Sequence, residues 1–135
     1  VIPQMKDRKS GIIINVSSVA GFIAGGHYSA AKSYLTVLSE SLATELAPHG
    51  ITVTALCPGF THTEFHQRAG MKMGSLPRWM WLDADFLVRI AWHDVKQGKV
   101  ISVPGNQYKA LLGLMKVLPR GLVRSYSISL RSRQR

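Results

Sequence analysis

The chain reads as three short apolar runs set around one long stretch of helical period. Gly11-Ile12-Ile13-Ile14-Asn15-Val16-Ser17 is a β-branched run opened by a glycine, the pattern of a strand buried on both faces. From Ser29 to about Ala47, Ala31, Leu35, Leu38, Leu42 and Leu46 recur at steps of three and four, which predicts a helix with that apolar face turned inward. Pro48-His49-Gly50 ends it. A second strand, Ile51 to Cys57, follows at once and is closed by Pro58-Gly59, and a third short run, Val100 to Val103, stops at Pro104-Gly105. Strand, helix, strand with short connections is a βαβ unit, whose two strands run parallel. The fold class is α/β.

Two stretches do not fit that frame. Residues 61–98 carry Met71, Met73, Leu76, Pro77, Trp79, Met80, Trp81 and Leu82. A connection of this length with soft, large side chains predicts either a cover over an apolar pocket or two ordinary helices packed on the sheet. Tyr108 to Leu118 is a mostly apolar helix candidate stopped by Pro119 and followed by Arg120-Gly121-Leu122-Val123-Arg124. The expected organisation is therefore an α/β unit over 1–105, with 61–98 as its substrate-covering segment, and a basic amphipathic helix and tail over 106–135.

Charge sharpens this division. The net charge of +10 suggests nucleic acid until its distribution is read. Residues 109–135 hold seven bases and no acid, whereas residues 10–108 hold seven bases and six acids, a net of +1. The basic end lacks the interleaved aromatics that stack on bases, so no nucleic-acid partner is expected. Apolar bulk with flanking Lys and Arg suits a helix lying on an anionic membrane surface, or one packed on its own domain or on a partner copy. No apolar stretch approaches the ~18 residues of a membrane span, and no signal-type segment is visible, which points to a cytoplasmic protein with at most peripheral membrane contact. The single Cys57 cannot form an internal disulfide and reads as a small buried residue. The first residue is Val1, and Val1 to Ser10 reads like the last turns of a helix stopped by Gly11. An N-terminal part is therefore expected to be missing.

The chemistry-bearing residues gather at the strand ends. Tyr28 and Lys32 stand four apart at the start of the long helix, hence on one face. A phenol titrates near pH ~10, and an adjacent ammonium favours its ionised form, which makes Tyr28 a candidate general acid/base. The spacing alone is weak, and a surface pair on a helix explains it equally. Placement adds weight, because open α/β sheets hold their ligands beyond the carboxyl ends of the strands. Ser17-Ser18-Val19-Ala20-Gly21 leaves one such end and Pro58-Gly59-Phe60-Thr61-His62-Thr63 leaves the next. His27, His62 and His66 match no metal-ligand spacing, and no metal site is expected.

Asn15 to Gly21, then Tyr28-Ser29-Ala30-Ala31-Lys32, then Pro58-Gly59 with Thr63 four residues on resemble, in that order, the C-terminal half of the short-chain dehydrogenase/reductase family. The resemblance covers about residues 1–105. It implies a Rossmann-like doubly wound parallel sheet, of which about three strands are here. It further implies an NAD(P)-dependent oxidoreductase interconverting an alcohol and a ketone or aldehyde, with NAD or NADP as cofactor. By this resemblance Ser18 donates a hydrogen bond to the substrate oxygen, with Ser17 as a weaker candidate, Tyr28 moves the proton, and Lys32 lowers the phenol's pKa and holds the nicotinamide ribose. Pro58, Gly59 and Thr63 seat the nicotinamide.

Trp79 and Trp81 are candidate walls for an apolar substrate, and the 29–47 helix is a candidate contact in a homo-oligomer. Ser18 and Tyr28 are only ten residues apart, closer than in many members, so the loop between them must be tight. Gly25 and Gly26 permit that. The family's glycine-rich phosphate turn, its cofactor-selecting residue and its upstream asparagine match nothing in these residues. The first strand should therefore leave a bare apolar edge. The alternative reading is a non-catalytic or truncated binding module that meets a membrane surface through its basic end.

Overall fold

The computed structural model describes residues 1–63, 77–119, 121–123 and 125. Helix α1 (Ile2–Asp7) leads into strand β1 (Gly11–Val16), a 3-10 turn (Val19–Phe22) and the long helix α2 (His27–Leu46). Strand β2 (Ile51–Leu56) follows, then a 3-10 turn (Arg78–Met80), helix α3 (Ala84–Lys96), strand β3 (Ile101–Ser102) and helix α4 (Asn106–Val117). The strands form one parallel sheet in the order β1-β2-β3, in register from Gly11↔Ile51 to Val16↔Leu56 and again at Ala55↔Ile101. Parallel strands need a crossover, and α2 supplies it. The fold is the Rossmann-like α/β class that the sequence predicts.

Local chemistry sets the element ends. Gly50, at φ 69, takes the left-handed turn after Pro48, and a Cβ there would lie 2.3 Å from the Lys9 carbonyl oxygen. Asp83 caps α3 by accepting a hydrogen bond from the Phe86 amide at 3.0 Å. At the start of the chain the expected stop at Gly11 is corrected. α1 ends at Asp7 and Lys9 takes the positive φ of 53. Gly11 instead opens β1, and its missing Cβ makes room for Met5.

Two further expectations change. β1 is not buried on both faces: its burial alternates, and Ile12, Ile14 and Val16 are exposed. α2 lies on one face of β1 and β2, whereas α3 packs on β2 and β3, and on its second face β1 leaves Ile12, Ile14 and Val16 exposed. β1 is also the sheet edge.

The face that α2 turns inward is the leucine stripe only in part, at Leu46 with Leu42 packed beside it. Ser29, Thr36, Ser39 and Leu46 are buried, Leu35, Leu38 and Leu42 are half-buried and Ala31 is exposed. Small hydroxyl residues let the helix approach the sheet closely, and their hydroxyls find partners. Asn15 Nδ2 donates to Ser39 Oγ at 3.0 Å, and Ser17 Oγ lies 2.8 Å from Thr36 Oγ1.

Two apolar clusters hold the layers. Met5, Leu46, Ile51 and Val53 pack on the α2 side, and Leu56, Leu82, Leu87, Ala91 and Tyr108 on the α3 side. Asp94 of α3 is buried between Lys99 (2.6 Å) and Ser102 Oγ (2.8 Å). Burial pushes its carboxyl up, but these hydrogen bonds and the Lys99 charge outweigh it and hold the group below the usual carboxylate range. No helix among the described residues is long and apolar enough to cross a membrane.

Candidate active site

Beyond the carboxyl ends of β1 and β2 three segments meet. The backbone joins two of them: the Val19 amide donates to the Pro58 carbonyl at 3.0 Å, and Ser17 N donates to the Leu56 carbonyl at 2.8 Å. Gly21 lies against the Lys32 backbone, where a Cβ would come within 3.0 Å, so the 3-10 turn rests on the first turns of α2. The short loop to α2 closes through Gly26, whose φ of 82 suits glycine.

The two serines divide their work. Ser17 is buried and its hydroxyl donates to the Lys32 carbonyl at 2.7 Å. Ser18 caps the 3-10 turn by accepting from the Ala20 amide at 3.1 Å, and donates to the Pro58 carbonyl over 3.4 Å. That donor bond is long, so the Ser18 hydroxyl is the one of the pair that can be redirected to a ligand.

Tyr28 and Lys32 sit one turn apart on α2. The Lys32 ammonium donates to the Val16 carbonyl at 2.8 Å and stands 5.6 Å from the centroid of the Tyr28 ring, within cation–π range. The last carbonyl of β1 thus fixes the cation beside the phenol. Tyr28 is 44% exposed, so a ligand can reach it.

Pro58 and Gly59 leave β2 on the other side of this rim. Gly59 is required by packing: a Cβ would lie 2.0 Å from Tyr108 Cζ. The chain then pairs with the far end of the connection. Thr61 bridges Leu82 in parallel, Leu82 N donates to the Phe60 carbonyl at 2.8 Å, and His62 N to the Leu82 carbonyl at 3.0 Å. This pairing brings Trp81 to the turn, stacked on His62 at 4.7 Å and tilted against Phe60 at 5.9 Å. Trp79 is 66% exposed, and its carbonyl accepts from Gln107 at 3.2 Å. Thr63 ends the described part of the turn.

His66, Met71, Met73 and Leu76 lie outside the described residues, as do Arg120, Arg124, Arg131, Arg133 and Arg135. Cys57 is buried beneath the rim, 3.9 Å from Thr36 Oγ1, and burial raises its thiol pKa.

Sequence reasoning missed Tyr108. It is 2% exposed, its hydroxyl accepts from the Phe60 amide at 2.9 Å, and it donates to the Met80 carbonyl. The available signal was a tyrosine on the apolar side of a helix candidate, which does not specify partners 28 and 48 residues away.

A family model described as short chain dehydrogenase matches residues 1–73. The chain is 48% identical over 61 residues to the 3-oxoacyl-(acyl-carrier-protein) reductase FabG of Staphylococcus aureus, covering 43% of this chain and 25% of that protein. Among solved structures it is similar to a short-chain dehydrogenase from Sphingobium yanoikuyae in complex with NADPH, with a TM-score of 0.70 and 32% identity over 88% of this chain and 50% of that one. A 7beta-hydroxysteroid dehydrogenase shares the fold with a TM-score of 0.79 at 21% identity, over 93% and 51% of the two chains. The chain spans about a quarter of the length of the curated relatives it matches and about half of the solved structures. The family model's span takes in Ser18, Tyr28, Lys32, Pro58, Gly59 and Thr63, and this chain belongs to the short-chain dehydrogenase family.

Proposed function

We propose that this chain forms the proton-transfer site and nicotinamide seat of an NAD(P)-dependent oxidoreductase that interconverts an alcohol and a ketone or aldehyde on an apolar substrate. The observation that carries the reading is the Lys32 ammonium, held 2.8 Å from the Val16 carbonyl and 5.6 Å from the Tyr28 ring. Lys32 has three N–H donors, of which the Val16 carbonyl takes one. The remaining donors suit the hydroxyls of a ribose. When bound, the nicotinamide supplies or accepts the hydride.

The chain's own residues do the rest. Ser18 turns its long donor bond from Pro58 to the substrate oxygen, and Tyr28 holds the proton that this oxygen gains or loses. Lys32 holds its positive charge beside the Tyr28 ring. Pro58, Gly59 and Thr63 line the nicotinamide, and Trp81, braced by Phe60 and His62, offers an apolar wall on which a large substrate can rest. Trp79 extends that wall at the exposed side. The reductase name of the Staphylococcus aureus relative and the NADPH of the Sphingobium yanoikuyae structure support the reaction class and the cofactor.

The test is Tyr28→Phe in the whole protein. General acid–base catalysis is worth about 10²–10⁴-fold, so kcat for NAD(P)H-dependent ketone reduction should fall by about that factor with the fold retained. Turnover within a few-fold of wild type would remove Tyr28 from the reaction.

A second reading rests on a separate observation. α4 exposes Leu111, Leu114 and Val117 and is followed by exposed Leu118 and Leu122, in a stretch whose seven bases are matched by no acid. Apolar bulk with unbalanced positive charge suits the surface of an anionic bilayer. Co-sedimentation with phosphatidylserine vesicles should exceed that with neutral ones and fade with salt. Membrane binding without any NAD(P)H binding would favour a non-catalytic module, and indifference to lipid charge would remove the membrane reading.

A further inference from the structure

Tyr108 joins three parts of the molecule that the sequence keeps far apart. Its ring occupies the space where a Cβ of residue 59 would stand. Its hydroxyl accepts from the amide of Phe60, the residue after the Pro58-Gly59 turn, and donates to the carbonyl of Met80, next to Trp81. The ring belongs to the cluster of Leu56, Leu82, Leu87 and Ala91, so it is anchored by packing as well as by hydrogen bonds. Burial raises the phenol's pKa above its ordinary value, which keeps the hydroxyl protonated and able to donate.

The two sides of the turn are therefore held differently. On one side the Pro58 carbonyl accepts from Val19 N and from Ser18 Oγ, groups of the site itself. On the other side Tyr108, from α4, fixes Phe60 and Met80 with one hydroxyl. Moving that hydroxyl would shift the Pro58–Gly59 turn and the Trp81 wall together.

We propose that Tyr108 is a positioning residue: it sets the Pro58–Gly59–Phe60 turn against the 78–82 segment so that nicotinamide seat and substrate wall keep one fixed geometry. The inference rests on reading that turn as the nicotinamide seat. It also assigns the first turn of α4 a role that its outward leucines do not share.

Tyr108→Phe in the whole protein keeps the ring and removes only the hydroxyl. The dissociation constant for NADPH and NADH should rise about tenfold, the effect of losing one well-placed hydrogen bond that organises a site. KM for the ketone should rise with it, kcat at saturation should stay within about threefold, and hydrogen exchange at the Phe60 amide should speed up about tenfold. A lower melting temperature with unchanged dissociation constants would make Tyr108 a purely structural residue and overturn the proposal, as would a variant that loses the fold by circular dichroism. If wild type binds NAD(P)H and Tyr108→Phe binds it equally well, the proposal alone fails. If wild type binds neither nucleotide, the nicotinamide reading fails and takes the proposal with it.

Discussion

β1 and β2 are each six residues long and lie side by side in parallel register, yet they are buried to different degrees. On the last rung Val16 faces Leu56; Val16 is 56% exposed and Leu56 7%. Both strands are rich in β-branched residues and both receive α2 on one face. The difference is the second face, where α3, the Tyr108 ring and Leu82 cover β2 and leave β1 open. Burial is thus a property of what packs on a strand, and composition alone does not report it. The same rung reaches the candidate site, since the backbone carbonyl of exposed Val16 holds the Lys32 ammonium. Both strands lead into the rim at their carboxyl ends, and β2 in addition supplies core.

The largest effect that would break this contrast is a pair of substitutions on that rung. Leu56→Ala empties a place in the α3-side cluster and should cost about 2–5 kcal/mol in urea unfolding, the range for a large-to-small change in a packed core. Val16→Ala removes a side chain that already meets solvent, leaves the carbonyl that holds Lys32, and should cost less than about 1 kcal/mol. Equal losses at both positions would mean that the open face of β1 is covered in solution.

What was legible in the sequence follows the same division. The runs 11–17, 51–57 and 100–103 and the helix 29–47 correspond to β1, β2, β3 and α2 to within two residues, because glycine, proline and periodicity act locally. The inward face of α2 was legible only at its C-terminal end, where Leu46 enters the core. Leucines at helical spacing outweigh Ser29, Thr36 and Ser39 on any hydropathy reading, whereas the sheet selects the small hydroxyls that permit close approach and pair with Ser17 and Asn15. Tyr28 and Lys32 were legible as neighbours since four residues on a helix are adjacent. The link from Lys32 to the end of β1 depends on how strand and helix pack, and from spacing alone the pair is indistinguishable from a surface one. Tyr108 acts on partners that only the tertiary fold brings near.

A smaller effect sharpens the contrast from the side of the cover. Asp94 rivets α3 to the sheet through Ser102 of β3 and Lys99, so the helix that buries Leu56 depends on it. Lys99 is half-exposed, so its charge is partly screened, whereas Ser102 is buried. Asp94→Asn should cost about 1–2 kcal/mol at pH 7.

Its pH dependence has a definite sign. The folded-state pKa of Asp94 lies below the ordinary value, so its stabilisation is fully present above the unfolded pKa of about 4 and is lost as pH falls from there through the folded value. Urea midpoints between pH 7 and pH 3 should converge for wild type and Asp94→Asn, with wild type falling faster. Parallel acid-side curves would show that the carboxylate does not hold the cover, and the burial of β2 would then rest on apolar packing alone.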